Sequence, residues 1–315
     1  MLKGKKLENG NPTVGIVALS APEAAWNPDV YETGKKALID RGIKVVESET
    51  VLTSYLYLAE KPKKIAESLQ KMFTNDKVDV IMCAGGGNCM NKIIPYIDMD
   101  VIAKNYKPFI GISDITALLL ALLNKNMVAF HGPFVLWNYG VDGTPTDYTH
   151  ENLLSILSGY TGKLPAKTDW KVFREGVSMG KIIGGNISTI SNIIGSPYCP
   201  VELFRDGILF IEDIAEGFPG LDSKLTHMKL LGVFDKIKGV VLGKLPECTP
   251  PEEAPEITLT DFLSLVFDGY SFPVIYDCDF GHIDDNLCLP FGCQVKIEAD
   301  ASEMPQITLV EKGVS

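Results

Sequence analysis

The chain has 315 residues, 46% hydrophobic and 22% charged, enough apolar material for a sizeable core without a metal or disulfide staple. A net charge of −11 argues against binding a nucleic-acid polymer, whose phosphates need a basic face. The seven cysteines are odd in number and contain no Cys-x-x-Cys pair, so they read as free thiols in a reducing compartment.

Residues 1–10 begin basic but have no apolar run behind them, so they do not read as a signal peptide. The longest apolar run, 115–123, falls well short of the roughly 20 residues a membrane helix needs. A cytoplasmic protein with no membrane partner is expected. Strands are predicted at 13–19, 44–47, 78–83 and 108–112, where β-branched and aliphatic residues cluster. Helices are predicted between them at 29–41, 63–74 and 114–124. That alternation predicts a doubly wound, mostly parallel α/β sheet with helices on both faces, over a first domain of 1–157. Residues 158–178 are polar and carry Gly159, Gly162 and Pro165, and are read as a linker. Beyond it, strands at 208–211, 239–242, 274–276 and 294–297 and one clear helix at 225–234 predict a β-rich second domain, 179–315.

Three places carry candidate chemistry. Gly111-Ile112-Ser113-Asp114 joins a strand to a helix, where a serine stands clear of the sheet beside a positive helix end. The Gly-x-Ser-x-Gly pattern is broken by Ile115, and simple helix capping by Ser113 is the competing reading. Gly85-Gly86-Gly87-Asn88 follows a strand and offers backbone N–H groups to a phosphate or an oxyanion; a tight turn is the alternative. No nucleotide-binding spacing accompanies these glycines. In the second half, an apolar strand ends in Glu212-Asp213, and Gly281-His282 lies in an acidic stretch. Only four histidines exist, and His282 is the best placed to serve as a base near neutral pH.

Taken in order, these segments resemble the LD-carboxypeptidase family of serine peptidases. The resemblance runs nearly end to end, through Ser20-Ala21-Pro22, Gly86-Gly87, Ile93-Ile94-Pro95-Tyr96, Gly111-Ile112-Ser113-Asp114-Ile115-Thr116-Ala117-Leu118, Gly184-Gly185-Asn186, Leu209-Phe210-Ile211-Glu212-Asp213 and Gly281-His282. It implies Ser113 as nucleophile, His282 as general base, Glu212 as the carboxylate that orients it, and Gly86 and Asp114 N–H groups as the oxyanion hole. It also implies no metal, no cofactor, and a homodimer. The glycine loop, with Asn88 and Asn91 after Gly86-Gly87, is closest to the microcin C immunity branch. That branch hydrolyses the amide joining a terminal aspartate to a modified nucleotide. Gly87, Asn88 and Asn186 are then candidate substrate contacts. Trp170 lies near the region from which an aromatic stacks on the base in that branch, with packing as its alternative. Lys181 and Lys244 are possible partners for a substrate carboxylate.

The expected protein is a metal-independent serine amidase that cuts near a free carboxylate in a peptide or peptide-nucleotide. A murein tetrapeptide LD-carboxypeptidase is the alternative within the family. Two readings of other classes remain. One is a metal hydrolase using Glu212, Asp213 and Glu216, or Asp277, Asp279, His282, Asp284 and Asp285. The other is a binding protein that leaves its ligand intact.

Overall fold

The computed structural model describes residues 1–8, 12–141, 143 and 145–315. Asn9 and Gly10, the end of the basic opening stretch, lie outside them. The chain forms two compact units. The first holds residues 1–160, 284–292 and 312–315, and the second holds 161–283 and 293–311.

The first unit begins with β1 (Thr13–Val17), α1 (Glu23–Trp26), α2 (Pro28–Asp40), β2 (Lys44–Glu47) and α3 (Pro62–Thr74). It continues with β3 (Val80–Cys83), α4 (Met90–Ile93), α5 (Met99–Lys104), β4 (Phe109–Gly111), α6 (Thr116–Asn124), β5 (Ala129–His131) and α7 (Asp147–Leu157). The five strands are parallel, in spatial order β2-β1-β3-β4-β5. Every residue of β3, β4 and β5 is buried, as expected for a parallel sheet covered on both faces. In α3 the apolar positions Ile65, Leu69, Met72 and Phe73 recur at helical spacing and are all buried. Fully burying one such side chain contributes roughly 1.5–3 kcal/mol. The strand order reverses between β1 and β3, and at such a point the loops leaving the two strands part and open a crevice.

The second unit holds β6 (Gly162–Lys163), β7 (Lys171–Arg174), β8 (Gly176–Asn186), α8 (Ile187–Ile193), β9 (Gly207–Glu212), α9 (Phe218–Leu230), β10 (Gly239–Gly243), α10 (Leu259–Val266) and β11 (Val274–Cys278). The chain then returns to the first unit for β12 (Leu289–Phe291), antiparallel to β5, before adding β13 (Gln294–Ala299) and β14 (Gln306–Leu309) to the second. The second sheet runs β6-β14-β13-β8-β9-β10-β11-β7. Its centre, β8 through β11, is parallel, and the flanking pairs are antiparallel.

The fold class is as expected; the organisation differs in three respects. Residues 158–178 contain β6 and β7, which pair at the two edges of the second sheet, where the sequence reading places a linker. The short, polar edge strands there carry little apolar signal. Residues 284–292 and 312–315 complete the first unit, so neither unit is a single stretch of chain. The helix expected at 225–234 begins instead at Phe218, with Pro219 in its first turn, and stops at Leu230. Gly232, at φ 78°, takes the left-handed conformation that ends a helix before 234.

Candidate active site

The first unit supplies a corner at Ser113 built largely from backbone. Ser113 follows β4 and has φ 62°, a left-handed conformation that serine rarely adopts. Such strain, placed where a strand turns into a helix, marks the residue for function. Ser113 is not a helix cap, and its hydroxyl has no hydrogen-bond partner among the described residues. The broken glycine pattern has a steric reason: a Cβ on Gly111 would lie 2.4 Å from Ile115 Cγ2. The side chain at 115 thus packs into the space left at 111.

Three loops at the carboxyl ends of β1, β3 and β4 are tied together around Asp114, which is 6% exposed. Its Oδ2 accepts from Ser20 Oγ at 2.6 Å, Cys89 N at 2.7 Å and Met90 N at 2.7 Å. Ser20 Oγ also accepts from Cys89 N, and Ala21 N donates to Gly86 O at 3.1 Å. The glycine loop is therefore held against Ser113: a Cβ on Gly86 would lie 2.9 Å from Ser113 Cβ and 3.0 Å from its Oγ. Of the N–H groups expected in an oxyanion hole, that of Asp114 has no acceptor among the described residues. That of Gly86 donates to Glu23 Oε2 at 3.0 Å. The next N–H along the loop, on Gly87, has no acceptor among the described residues. Gly87 is half-buried and Asn88 exposed, as suits substrate-facing positions. Cys89 is a poor rival nucleophile, because burial and then Asp114 raise its thiol pKa.

The second unit supplies a buried pair of side chains. Glu212, the last residue of β9, is 0% exposed, and His282 is 6% exposed. His282 Nδ1 lies 2.7 Å from Glu212 Oε2. An ionised carboxylate only accepts, so Nδ1 carries the proton and Nε2 is left as the basic nitrogen. Gly281, at φ 121°, makes this approach feasible: a Cβ there would lie 3.1 Å from Glu212 Oε2. Asp213 does not join the pair. It accepts from Asn186 Nδ2 at 3.1 Å, Ser188 N at 2.9 Å and Ser188 Oγ at 2.8 Å, fixing the start of α8. Burial raises its pKa, partly offset by the Ser188 donors. Asn186 caps α8 by accepting from Thr189 N, and stands in register beside Glu212.

Other expected residues fall elsewhere. Trp170 is 4% exposed and its Nε1 donates to Asp279 Oδ2 at 2.7 Å, as the packing alternative expects. Lys181 pairs with Gly207 at one end of the β8–β9 pairing while Asn186 pairs with Glu212 at the other, five residues or about 16 Å away, too far to share a ligand with Glu212. Lys244 bonds Asp277 Oδ1 at 2.8 Å and Thr168 Oγ1 at 3.0 Å. Burial works to raise the Asp277 carboxyl, but Lys244 and Lys171 outweigh it and hold it below its ordinary value. Of the carboxylates named for a metal, Asp277 is engaged by Lys244 and Lys171, Glu216 by Lys224, and Asp279 accepts from Lys167 N, Thr168 N, Thr168 Oγ1 and Trp170. Among the described residues no three such ligands converge. No helix among them is long and apolar enough to cross a membrane. Sequence reasoning missed Glu23 and the tether role of Ser20 and Asp114. Their only signal was position, after a strand at the sheet end where ligands bind.

Comparison with known proteins finds a match in each part of the chain. The LD-carboxypeptidase N-terminal domain matches residues 14–132, and the LD-carboxypeptidase C-terminal domain matches 179–297. The microcin C7 self-immunity protein MccF of Escherichia coli is 31% identical over 317 residues, covering 91% of each chain. A probable murein peptide carboxypeptidase of Bacillus subtilis is 28% identical, covering 99% of this chain and 95% of its own. A structure of MccF with aspartyl sulfamoyl adenosine superposes with a TM-score of 0.90 at 27% identity, covering 100% of both chains. The chain therefore belongs to the LD-carboxypeptidase family and is a serine-type carboxypeptidase or hydrolase.

Proposed function

We propose that this enzyme hydrolyses the amide joining an acidic amino acid to a modified nucleotide, using Ser113, His282 and Glu212. The observation that carries the reading is the buried 2.7 Å pairing of His282 Nδ1 with Glu212, which leaves Nε2 as a fixed base. In this reading Ser113 Oγ attacks the amide carbonyl and its proton passes to His282 Nε2. Glu212 stabilises the imidazolium so formed. The tetrahedral oxygen is stabilised by the Asp114 N–H and a glycine-loop N–H. Collapse breaks the C–N bond, and His282 returns the proton to the departing nitrogen. Water then attacks the Ser113 ester, giving a proton to His282; collapse breaks the bond to Oγ, His282 returns the proton to Oγ, and the acid is released.

The substrate class is supported by MccF, which shares the whole fold and has been solved with aspartyl sulfamoyl adenosine and with glutamyl sulfamoyl guanosine. A murein peptide is the second reading, favoured by the Bacillus subtilis relative that covers 99% of this chain. Mass spectrometry of aspartyl sulfamoyl adenosine and of a murein tetrapeptide, with EDTA present, tests both. Cleavage of the nucleotide by wild type and not by Ser113→Ala supports the proposal. Cleavage of the tetrapeptide alone moves the enzyme to the murein reading. Equal cleavage by Ser113→Ala overturns the serine assignment.

A further inference from the structure

Several backbone groups around the glycine loop have a definite owner, and one of those owners is a side-chain carboxylate from α1. Ala84 N donates to Val17 O at 2.8 Å, and Leu136 N donates to Ala84 O at 2.9 Å. Gly86 O accepts from Ala21 N, and Cys89 N and Met90 N go to Asp114. Gly86 N–H goes to the carboxylate of Glu23, the first residue of α1, 63 positions away in the chain. That carboxylate lies close against the loop: a Cβ on Gly85 would lie 2.0 Å from Glu23 Oε2, so any side chain there would displace it.

These bonds fix two successive peptide planes. Glu23 aims the Gly85–Gly86 peptide by its N–H, and Ala21 aims the Gly86–Gly87 peptide by its carbonyl. In a trans peptide the N–H points opposite to the C=O, so the Gly87 N–H is turned away from Ala21. The unclaimed donors beside the strained serine are then the N–H groups of Gly87 and Asp114.

Resting on the serine mechanism proposed above, we infer that Glu23 is a positioning residue for the oxyanion hole. By holding the Gly86 N–H, it fixes the loop so that Gly87, with Asp114, meets the oxygen that gains charge. Glu23 acts through an acceptor oxygen, not through its charge and not by touching substrate. Misplacement of such donors by about 1 Å costs on the order of 100-fold in rate.

The test uses the full-length enzyme and two readouts: the rate at which a fluorophosphonate labels Ser113, and kcat and KM on the substrate it cleaves. Phosphonylation of serine uses the same oxyanion donors but needs no knowledge of the natural substrate. Glu23→Gln keeps an acceptor oxygen and is expected within about threefold of wild type. Glu23→Ala is expected to lower both labelling rate and kcat by roughly 10- to 100-fold, with KM nearly unchanged. Gly85→Ala, which pushes the carboxylate aside without removing it, should give a similar loss and add little to Glu23→Ala. This second variant keeps the test sharp if Glu23→Ala folds poorly. Wild-type labelling rates in both Glu23→Ala and Gly85→Ala overturn the inference alone, as does Glu23→Gln falling as far as Glu23→Ala. A wild-type enzyme whose Ser113 resists the reagent overturns the serine reading itself, and the inference with it.

Discussion

The two candidate clusters, one in each unit, are built from different materials. The corner around Ser113 is almost entirely backbone: a serine at φ 62°, three glycines in a row, and N–H groups aimed by neighbouring loops. The Glu212–His282 half is a pair of side chains, both under 7% exposed, in which one carboxylate fixes one imidazole. Backbone donors carry no proton that must be exchanged and suit a charge that appears and vanishes. A side-chain base must change its protonation state in every cycle, so it needs a partner that stabilises both states. The difference teaches which substitutions each half tolerates. The backbone half is sensitive to added volume, and the side-chain half to altered charge.

Predictions that sharpen this contrast begin with Ser113→Ala. Turnover should fall by about 10⁴-fold or more with the melting temperature nearly unchanged, since the hydroxyl has no hydrogen-bond partner among the described residues. Stopped assays with differential scanning fluorimetry check both. In the other half, Glu212→Gln should lower kcat by roughly 10³- to 10⁴-fold, because an amide favours the wrong imidazole tautomer. If Glu212→Gln keeps near-wild-type kcat, the orienting role fails. Gly86→Ala should lower kcat by about 100-fold, as the new methyl meets Ser113 at 2.9 Å and displaces either the loop or the nucleophile. Asp114→Ala should cost about 2–4 kcal/mol in urea unfolding, because three donors lose one charged acceptor.

The smallest effect concerns pH. The Asp213 carboxyl has a raised pKa in the folded chain, so between its ordinary value and its raised one the folded state binds more protons than the unfolded state. Stability contributed at this site should therefore decline as pH rises through that window. Asp213→Asn should flatten the slope of stability against pH there, measured by urea titration at several pH values. An unchanged slope would show that the Ser188 and Asn186 donors fully offset the burial.

Much of this arrangement was legible in the sequence, for a physical reason. Ser113, the glycines, Glu212 and His282 each lie at or just past a strand end, where a change from apolar to polar residues is visible locally. Asp114 was legible only as an N–H donor. Its carboxylate reaches Ser20 across 94 positions, and no local pattern encodes that. Glu23 reads as an ordinary acidic residue in a first helical turn until the fold brings Gly86 to it. For Trp170, which only the family resemblance put forward, the long-range partner was equally invisible: Asp279, 109 positions later, holds its indole nitrogen. The division into units was obscured in the same way, since β12 has only three residues and carries little signal of its own.

That returning strand bears on the birth of the protein. Residues 1–160 make most of the first unit, but its sheet gains β12 only after 291 residues exist, and Ser315 then bonds Gly4 and Lys6 near the start of the chain. On the ribosome, the segment bearing Ser113 emerges ahead of His282, and its sheet keeps an open edge on β5 until β12 follows. The strand that closes this edge and the base proposed for Ser113 arrive in one short stretch, 282–291, so the edge is covered as the proposed base is supplied.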